Sequence, residues 1–346
     1  MARATRIVKC ALVGAIILGV STTCCAGTAI GDEEPDNTFI FYWENDVING
    51  SDQYYTNGLK LLWVSGPLND YDEDKRLPGW SNKPIESLPL INAPVTTKHV
   101  ALSLGQQMFT PQDLDNPDLI VNDRPYAGWT YAGIALHSKN ESVLNSLELD
   151  IGMIGPESYA RDVHEGLHDL LDSEKPRGWD NQLNNEVGLI LVAERKWRLW
   201  QLGGNSNNLD FIPHLGAALG NVYTYVNAGG EIRLGFNLPD DFGTALIRPA
   251  GDASIPAAKA KNNKTGVHLF VAIDGRTVLR NIFLDGNTFT DSHEVDKEHF
   301  VADLMAGVSV HFNRFKITYS HVYKTKEFET QDEEQIFGSI SVSYIF

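Results

Sequence analysis

Two histidines and a glutamate in the stretch HEGLH, residues 164–168, have the spacing of a known catalytic motif. In a helix, His164 and His168 are one turn apart and share a face. Zinc peptidases use such a pair to bind the metal, and the glutamate between them activates water. Taken alone, His164, Glu165 and His168 therefore predict a zinc metallopeptidase. A solvated helix face that carries two histidines is the alternative.

A second polar cluster lies in the stretch ENDVINGSDQYYTNG, residues 44–58. Asn45 and Asp46 would end one strand and Thr56 would begin the next, so the three residues can face each other across an antiparallel hairpin. A carboxylate, an amide oxygen and a hydroxyl are the hard oxygen ligands that calcium prefers. Because Asn, Asp and Gly also form turns without binding anything, a plain hairpin loop stays open as the alternative.

A third cluster is NDRPYAGWTY, residues 122–131. Arg124 could bind a phosphate with its planar guanidinium. Tyr126, Trp129 and Tyr131 are typical of the aromatic girdle of a barrel at the membrane interface. An aromatic strand that begins with a structural arginine explains the same residues.

The C-terminal stretch GSISVSYIF alternates between apolar and small polar residues. Ile340, Val342, Tyr344 and Phe346 share one face, which is the period of a strand with one apolar side. A last strand that ends on a phenylalanine is typical of outer-membrane barrels, and an edge strand of a soluble sandwich is the alternative. The sequence thus favours a β-barrel.

Similar segments recur along the chain and predict about twelve strands, an even number, as bacterial single-chain barrels have. The proline- and glycine-rich stretches 67–96 and 239–263 read as irregular insertions. The predicted strands lie near 37–47, 55–66, 97–109, 126–138, 143–155, 184–200, 209–221, 229–238, 264–284, 299–312, 314–325 and 335–346.

Residues 1–29 predict a signal peptide, with a membrane anchor as the alternative. Three basic residues precede the apolar run CALVGAIILGV, and cleavage after Ala26 or Ala29 suits a signal peptidase. Its removal leaves a single domain, residues 30–346, without cysteine, because all three cysteines lie in the removed segment. The net charge then changes from −17 to −17 − 3 = −20. Such an acidic protein is a poor nucleic-acid binder but can hold divalent cations.

One segment has helical periodicity instead. Between Glu157 and Asp172 most apolar residues recur three or four positions apart, and Pro156 and Pro176 suit the helix ends. In a barrel whose termini both lie in the periplasm, this helix and the polar clusters belong to extracellular loops. The sequence therefore predicts an all-β, twelve-stranded antiparallel transmembrane β-barrel with a short helix in an extracellular loop. That fold brings the three clusters to one rim.

Taken together, these stretches closely resemble the outer-membrane lipid A 3′-O-deacylase family. Each motif alone is unspecific, whereas the ordered set with a barrel terminus is specific, and the resemblance spans Phe39 to Phe346. The family has N-D, Y-T-x-G, D-R-x-[YF] and G-P…H…G-W-x-x-Q-[LI]-x-N. This chain has ND at 45–46, YTNG at 55–58, DRPY at 123–126, GP at 155–156 and GWDNQLNN at 178–185.

The resemblance implies a calcium-dependent hydrolase in the bacterial outer membrane that removes a 3′-O-linked acyl chain from lipid A, within lipopolysaccharide of the outer leaflet. It also implies an active site at the extracellular rim, between the barrel wall and the loop helix. A neutral histidine can take the proton of a water near neutral pH, and calcium can stabilise the developing oxyanion. One closed barrel needs no partner, so we expect a monomer.

By the same resemblance, His168 is the general base, because it lies eleven residues before Trp179 (179 − 168 = 11). Asn45, Asp46 and Thr56 match the family's site positions on the barrel wall. Glu174 matches a conserved acidic position of the family. The implied calcium ligands are Asp46, Asn45 and Glu174.

Two features depart from the family. Its members carry a basic pair in the 110–122 loop, suited to lipid phosphates, whereas PQDLDNPDLIVN is acidic here, which leaves phosphate recognition open. The position of His164 is usually glutamine, so no catalytic role is implied for His164. Two other functions stay possible: a zinc metallopeptidase with Glu174 or Glu186 as third ligand, and a non-catalytic barrel such as a pore.

Overall fold

The computed structural model contains one antiparallel sheet that closes on itself. It describes residues 37–47, 53–92, 96–203, 207–247 and 265–346. The predicted signal peptide lies outside the described residues. The sheet has twelve positions, because two consecutive strand segments, Glu186–Trp197 and Trp200–Gly203, both pair with the strand that follows them and count as one. The twelve-stranded barrel prediction is therefore confirmed.

Neighbours in sequence are neighbours around the barrel, and the first strand pairs with the last. The predicted eighth strand begins earlier than the sequence indicated, and the predicted ninth strand ends in a helical turn. The strands are β1 (Thr38–Asn45), β2 (Tyr54–Val64), β3 (Thr97–Thr110), β4 (Ala127–Lys139), β5 (Val143–Ile154), β6 (Glu186–Trp197 with Trp200–Gly203), β7 (Asn207–Gly220), β8 (Tyr223–Phe236), β9 (Gly266–Asn281), β10 (Phe300–Phe312), β11 (Phe315–Lys324) and β12 (Gln335–Ile345).

Side chains alternate between the lumen and the outer wall along each strand. On β9, Phe270 and Ala272 are buried, whereas Val271 and Ile273 are each 54% exposed. Exposed aliphatic residues at every second position form the lipid-facing band of a membrane barrel.

Three short helices lie in the connections that the structure describes. They are α1 (Asn82–Glu86), α2 (Ala160–Leu171) and α3 (Ile282–Asp285). The helix α2 lies within the predicted helical span and follows a 3-10 turn, Pro156–Ser158. Among the described residues, none of the helices has both the length and the apolar character of a transmembrane helix.

The lumen is filled by side chains and by part of the β8–β9 connection. Phe242 and Ile247 pack among inward-facing residues of β1 to β5. The N–H of Ile247 donates to the carboxylate of Glu44 at 2.8 Å. At the end of the barrel where α3 lies, Phe283 of α3 stacks on Phe109 with ring centroids 4.1 Å apart. Within the described residues the interior is thus a packed core, which does not favour a pore.

Candidate active site

A β-bulge shapes the wall side of the predicted site. The register of β2 against β3 shifts between Tyr55 and Asn57, so Thr56 is an extra residue in the ladder. A bulge re-aims the side chain of such a residue and frees its backbone groups. The hydroxyls of Thr56 and Thr110 lie 2.8 Å apart, and Asn45 Nδ2 donates to the Thr56 carbonyl at 3.0 Å.

Asp46 follows β1 directly and is fully buried. Its Oδ2 accepts a hydrogen bond from the backbone N–H of Gln53 at 2.6 Å, across the hairpin. Its own N–H points to the Thr56 carbonyl at 3.5 Å. The structure thus brings Asn45, Asp46 and Thr56 together where β1 and β2 meet.

The other side of the site is the helix α2, which packs on the outer wall of the barrel. Gly128 of β4 makes this contact possible, because a Cβ there would lie 2.1 Å from Ala160 Cβ and 2.3 Å from Ser158 Oγ. Gln106 Nε2 and Thr130 Oγ1 both donate to the Ser158 carbonyl, at 2.8 and 2.6 Å. These bonds fix the beginning of the helix against β3 and β4.

An apolar cluster fills the space beneath α2. It includes Met108, Tyr126 and Trp179, all buried, and the rings of Tyr126 and Trp179 are 5.0 Å apart. Gly178 permits this packing, because a Cβ there would lie 2.5 Å from the Tyr126 ring. Met108 and Thr110 are two residues apart on β3 and so share its outward face. The helix and the bulge therefore occupy adjacent parts of one wall.

His164 and His168 belong to one hydrogen-bond chain that begins at Trp179. The indole Nε1 donates to His164 Nδ1 at 3.2 Å, and the Nε2 atoms of the two histidines lie 3.1 Å apart. His168 Nδ1 donates to the backbone carbonyl of Glu174. An indole N–H can only donate, so His164 Nδ1 accepts and neutral His164 carries its proton on Nε2. A carbonyl oxygen can only accept, so neutral His168 carries its proton on Nδ1. The basic nitrogen of His168 is then Nε2.

The glutamates around the histidines are engaged elsewhere or exposed. Glu165 forms an ion pair with Arg161 at 2.8 Å. Glu186 accepts hydrogen bonds from the β9–β10 loop. The side chain of Glu174 is exposed, and its observed contact with His168 is made by the backbone. Its role as a calcium ligand stays a prediction.

No group of three His, Cys, Asp or Glu side chains placed to hold a metal occurs in the described part of the chain. The histidine pair thus lacks the third protein ligand that a zinc peptidase uses. On the wall, the donors are the Asp46 carboxylate, the Asn45 amide and the hydroxyls of Thr56 and Thr110. Such hard oxygen donors fit calcium better than zinc.

Arg124 is a structural residue rather than an exposed phosphate ligand. Its side chain is fully buried, donates to Glu327 Oε2 at 3.0 Å and lies over the Phe109 ring at 4.7 Å. Burial alone would raise the pKa of Glu327, but the positive charges of Lys324 and Arg124 lower it to about 2. The pair joins the β3–β4 loop to the β11–β12 loop. This agrees with the alternative interpretation of the motif, an aromatic strand that begins with a structural arginine.

The girdle prediction for the aromatic residues of the same motif is wrong. Trp129 and Tyr131 are buried in the lumen, stacked at a centroid distance of 4.2 Å. Tyr126 lies beneath α2. The packing roles of Gly128 and Gly178 were not predicted, although a glycine beside a tryptophan in AGW and RGW is a signal of close packing.

One family model and one solved structure agree with this architecture. Residues 12–346 match the family model described as outer membrane protein LpxR. The fold is similar to that of LpxR from Salmonella typhimurium, with a TM-score of 0.70, 18% sequence identity and coverage of 89% of this chain and 100% of that chain. The β domain of the Bordetella autotransporter BrkA matches with a TM-score of 0.42 and 11% identity over 91% of this chain and 99% of that one. A comparison with curated protein sequences finds no match.

Proposed function

The chain belongs to the LpxR family of outer-membrane proteins, and from this premise we propose that it is a lipid A deacylase. The observation that carries the proposal is the buried pair His164 and His168, which α2 holds on the outer wall at β3 and β4, while the oxygen donors of the β1–β2 hairpin lie on the neighbouring part of the same wall. A histidine base next to buried oxygen donors is suited to hydrolysis of an ester.

The position of the site on the wall supports a membrane lipid as substrate. The helix α2 stands outside the barrel, on the face of β3 that also carries Met108 and the half-exposed Leu104. An acyl chain that follows this apolar face reaches the histidines without entering the lumen. The specific bond, a 3′-O-linked acyl ester, is proposed on the resemblance of the motifs.

In the proposed mechanism, His168 is the general base. Its Nδ1–H stays bonded to the Glu174 carbonyl, so the ring keeps its orientation and Nε2 is the nitrogen that accepts the proton of a water. His164 donates to the same Nε2 and releases it when the water arrives. Trp179 fixes the tautomer of His164, and His164 is therefore a positioning residue.

The residues of the hairpin hold the carbonyl end of the ester. Asp46 is the first choice to hold a calcium ion, with Asn45 and Glu174 as the further proposed ligands. When bound, calcium polarises the ester carbonyl and stabilises negative charge on its oxygen. Thr56 orients substrate or water through its hydroxyl, because the bulge directs that group toward Thr110 and the outer wall.

Hydrolysis by activated water can be tested with labelled solvent. We expect the mature protein, incubated with lipid A and calcium in H₂¹⁸O, to release a fatty acid that carries one ¹⁸O atom, while the sugar hydroxyl carries none. Water attack on the carbonyl forms the new carbon–oxygen bond and breaks the acyl–oxygen bond. Release of unlabelled fatty acid, or transfer of the acyl chain to another lipid, would contradict the mechanism.

A non-catalytic barrel is the second candidate, because the acidic 110–122 loop lacks the basic pair of the family. This candidate predicts that no fatty acid is released with any lipid A variant. The labelled-water experiment therefore separates the two functions.

A further inference from the structure

The β2–β3 connection on the periplasmic side forms a folded collar, residues 66–92, on the outside of the barrel. It contains α1 and two 3-10 turns. Its apolar side chains share one buried cluster with outward-facing residues of β3 and β4. The buried members are Tyr71, Leu77, Ile85, Ile91, Val100 and Leu136.

Polar contacts fix the collar to the strands. The Tyr71 hydroxyl donates to the His137 carbonyl at 2.9 Å, and Lys98 Nζ pairs with Asp70 at 2.7 Å. The collar is therefore an ordered part of the wall rather than a loop that hangs in the periplasm.

The surface that the collar covers continues the lipid-facing band. On β3, Val100 is fully buried beneath the collar, whereas Leu102 and Leu104 on the same face are exposed. On β5, Leu147 packs against the collar, whereas Leu149 and Ile151 above it are exposed. Along both strands the band passes directly under the collar. The collar thus covers this part of the wall, and its own exposed residues are charged apart from Trp80 and small or proline residues.

Aromatic residues mark the same end of the barrel on other strands. An exposed aromatic ring is typical of the membrane–water interface, where its apolar body meets lipid and its polar edge meets water. The periplasmic ends of β3 to β5 carry aliphatic residues instead, and the collar that covers them presents Trp80, which is 76% exposed. The exposed aromatic residues at this end of the other strands include Phe39, Trp200, Phe236, Phe312, Phe315 and Tyr344.

We propose that the collar is seated in the interfacial region of the phospholipid leaflet, with Trp80 as its anchor. The partner is phospholipid rather than a protein, because the strands that the collar covers face lipid directly next to it. The indole of Trp80 completes the aromatic belt on the side where the strands lack it. This surface lies at the opposite end of the barrel from the histidines, so the proposal does not depend on catalysis.

The test uses single cysteines in the mature chain, which has no other cysteine once residues 1–29 are absent. A nitroxide is attached at Trp80→Cys, and its collision rates with oxygen and with a water-soluble nickel chelate are measured by electron paramagnetic resonance in phosphatidylethanolamine–phosphatidylglycerol vesicles. Leu104→Cys serves as the lipid-facing reference and Glu141→Cys, in the exposed β4–β5 turn, as the water-facing reference. All three positions are exposed, so folding is retained, and heat-dependent gel migration verifies it.

We expect the oxygen-to-nickel ratio at position 80 to exceed that at position 141 several-fold and to approach that at position 104. A ratio at position 80 equal to that at position 141 would overturn the proposal, because the collar would then face periplasmic water. Low collision rates with both reagents would also overturn it, because the surface would then be covered by protein.

Discussion

Replacement of Gly128 by alanine tests whether the docking of α2 on the barrel wall positions His168, the proposed general base. The new Cβ would lie 2.1 Å from Ala160 Cβ and 2.3 Å from Ser158 Oγ. Neither neighbour can rotate away, because Ala160 has no further atoms and Ser158 Oγ is bonded to the Gly155 carbonyl at 2.6 Å. The beginning of the helix must therefore move.

The size of the displacement follows from ordinary contact distances. Carbon atoms in van der Waals contact are at least 3.4 Å apart, so Ala160 must retreat by 3.4 − 2.1 = 1.3 Å. A helix moves as a unit, and His168 moves with it. Misplacement of a catalytic group by about 1 Å costs roughly 100-fold in rate. The overpacking itself costs about 1–3 kcal/mol, which the strands of the barrel tolerate.

The assay is the initial rate of fatty-acid release from lipid A, together with heat-dependent gel migration as a measure of barrel folding. Gly128→Ala is expected to fold and to lose roughly 100-fold in rate. Gly275→Ala is the matched control on another strand, because the nearest atom to its Cβ is the Ala228 carbonyl oxygen at 3.7 Å. A Gly128→Ala protein with the wild-type rate would refute the idea that this contact positions His168.

Three further predictions concern the loops. Arg124→Met leaves Glu327 buried without this partner and should lower the free energy of unfolding by about 3–5 kcal/mol, measured by denaturant titration in micelles. The folded pKa of Glu327, about 2, lies below its ordinary value of 4.5, so its stabilisation is complete above pH 4.5 and is lost as the pH falls toward 2. The free energy of unfolding of Glu327→Gln, measured as the pH is lowered, should not show this loss. A pH dependence equal to that of wild type would count against the ion pair. His164→Gln should keep the deacylase rate within about tenfold of wild type, because an amide can replace one neutral hydrogen bond, whereas a zinc peptidase would lose its activity.

The strand pattern was predictable because period-two alternation is a local property of the sequence. The extra length of β8 was not, because Gly229 and Gly230 interrupt its apolar pattern and Tyr223 pairs with β9 only in the closed barrel. The proximity of Asn45, Asp46 and Thr56, by contrast, was predictable from the spacing of the hairpin alone.

Contacts between distant loops could not be predicted from spacing. Arg124 and Glu327 are 203 residues apart, and only the closed barrel makes them neighbours. Trp129 and Tyr131 were assigned to the membrane interface and lie in the lumen instead. Aromatic residues suit both places, and the alternation along a strand does not by itself show which face points inward. The irregular insertion at 67–96 was predicted, but its packing on the outer wall as a collar was not, since its apolar residues have no regular period.

The most direct test of the proposed deacylase function compares wild type with His168→Ala by mass spectrometry of lipid A from membranes that contain each protein, with calcium and with a chelator. We expect loss of one ester-linked acyl chain with wild type and calcium, and intact lipid A in the three other conditions. Intact lipid A in all four conditions, or equal loss with His168→Ala, would contradict it.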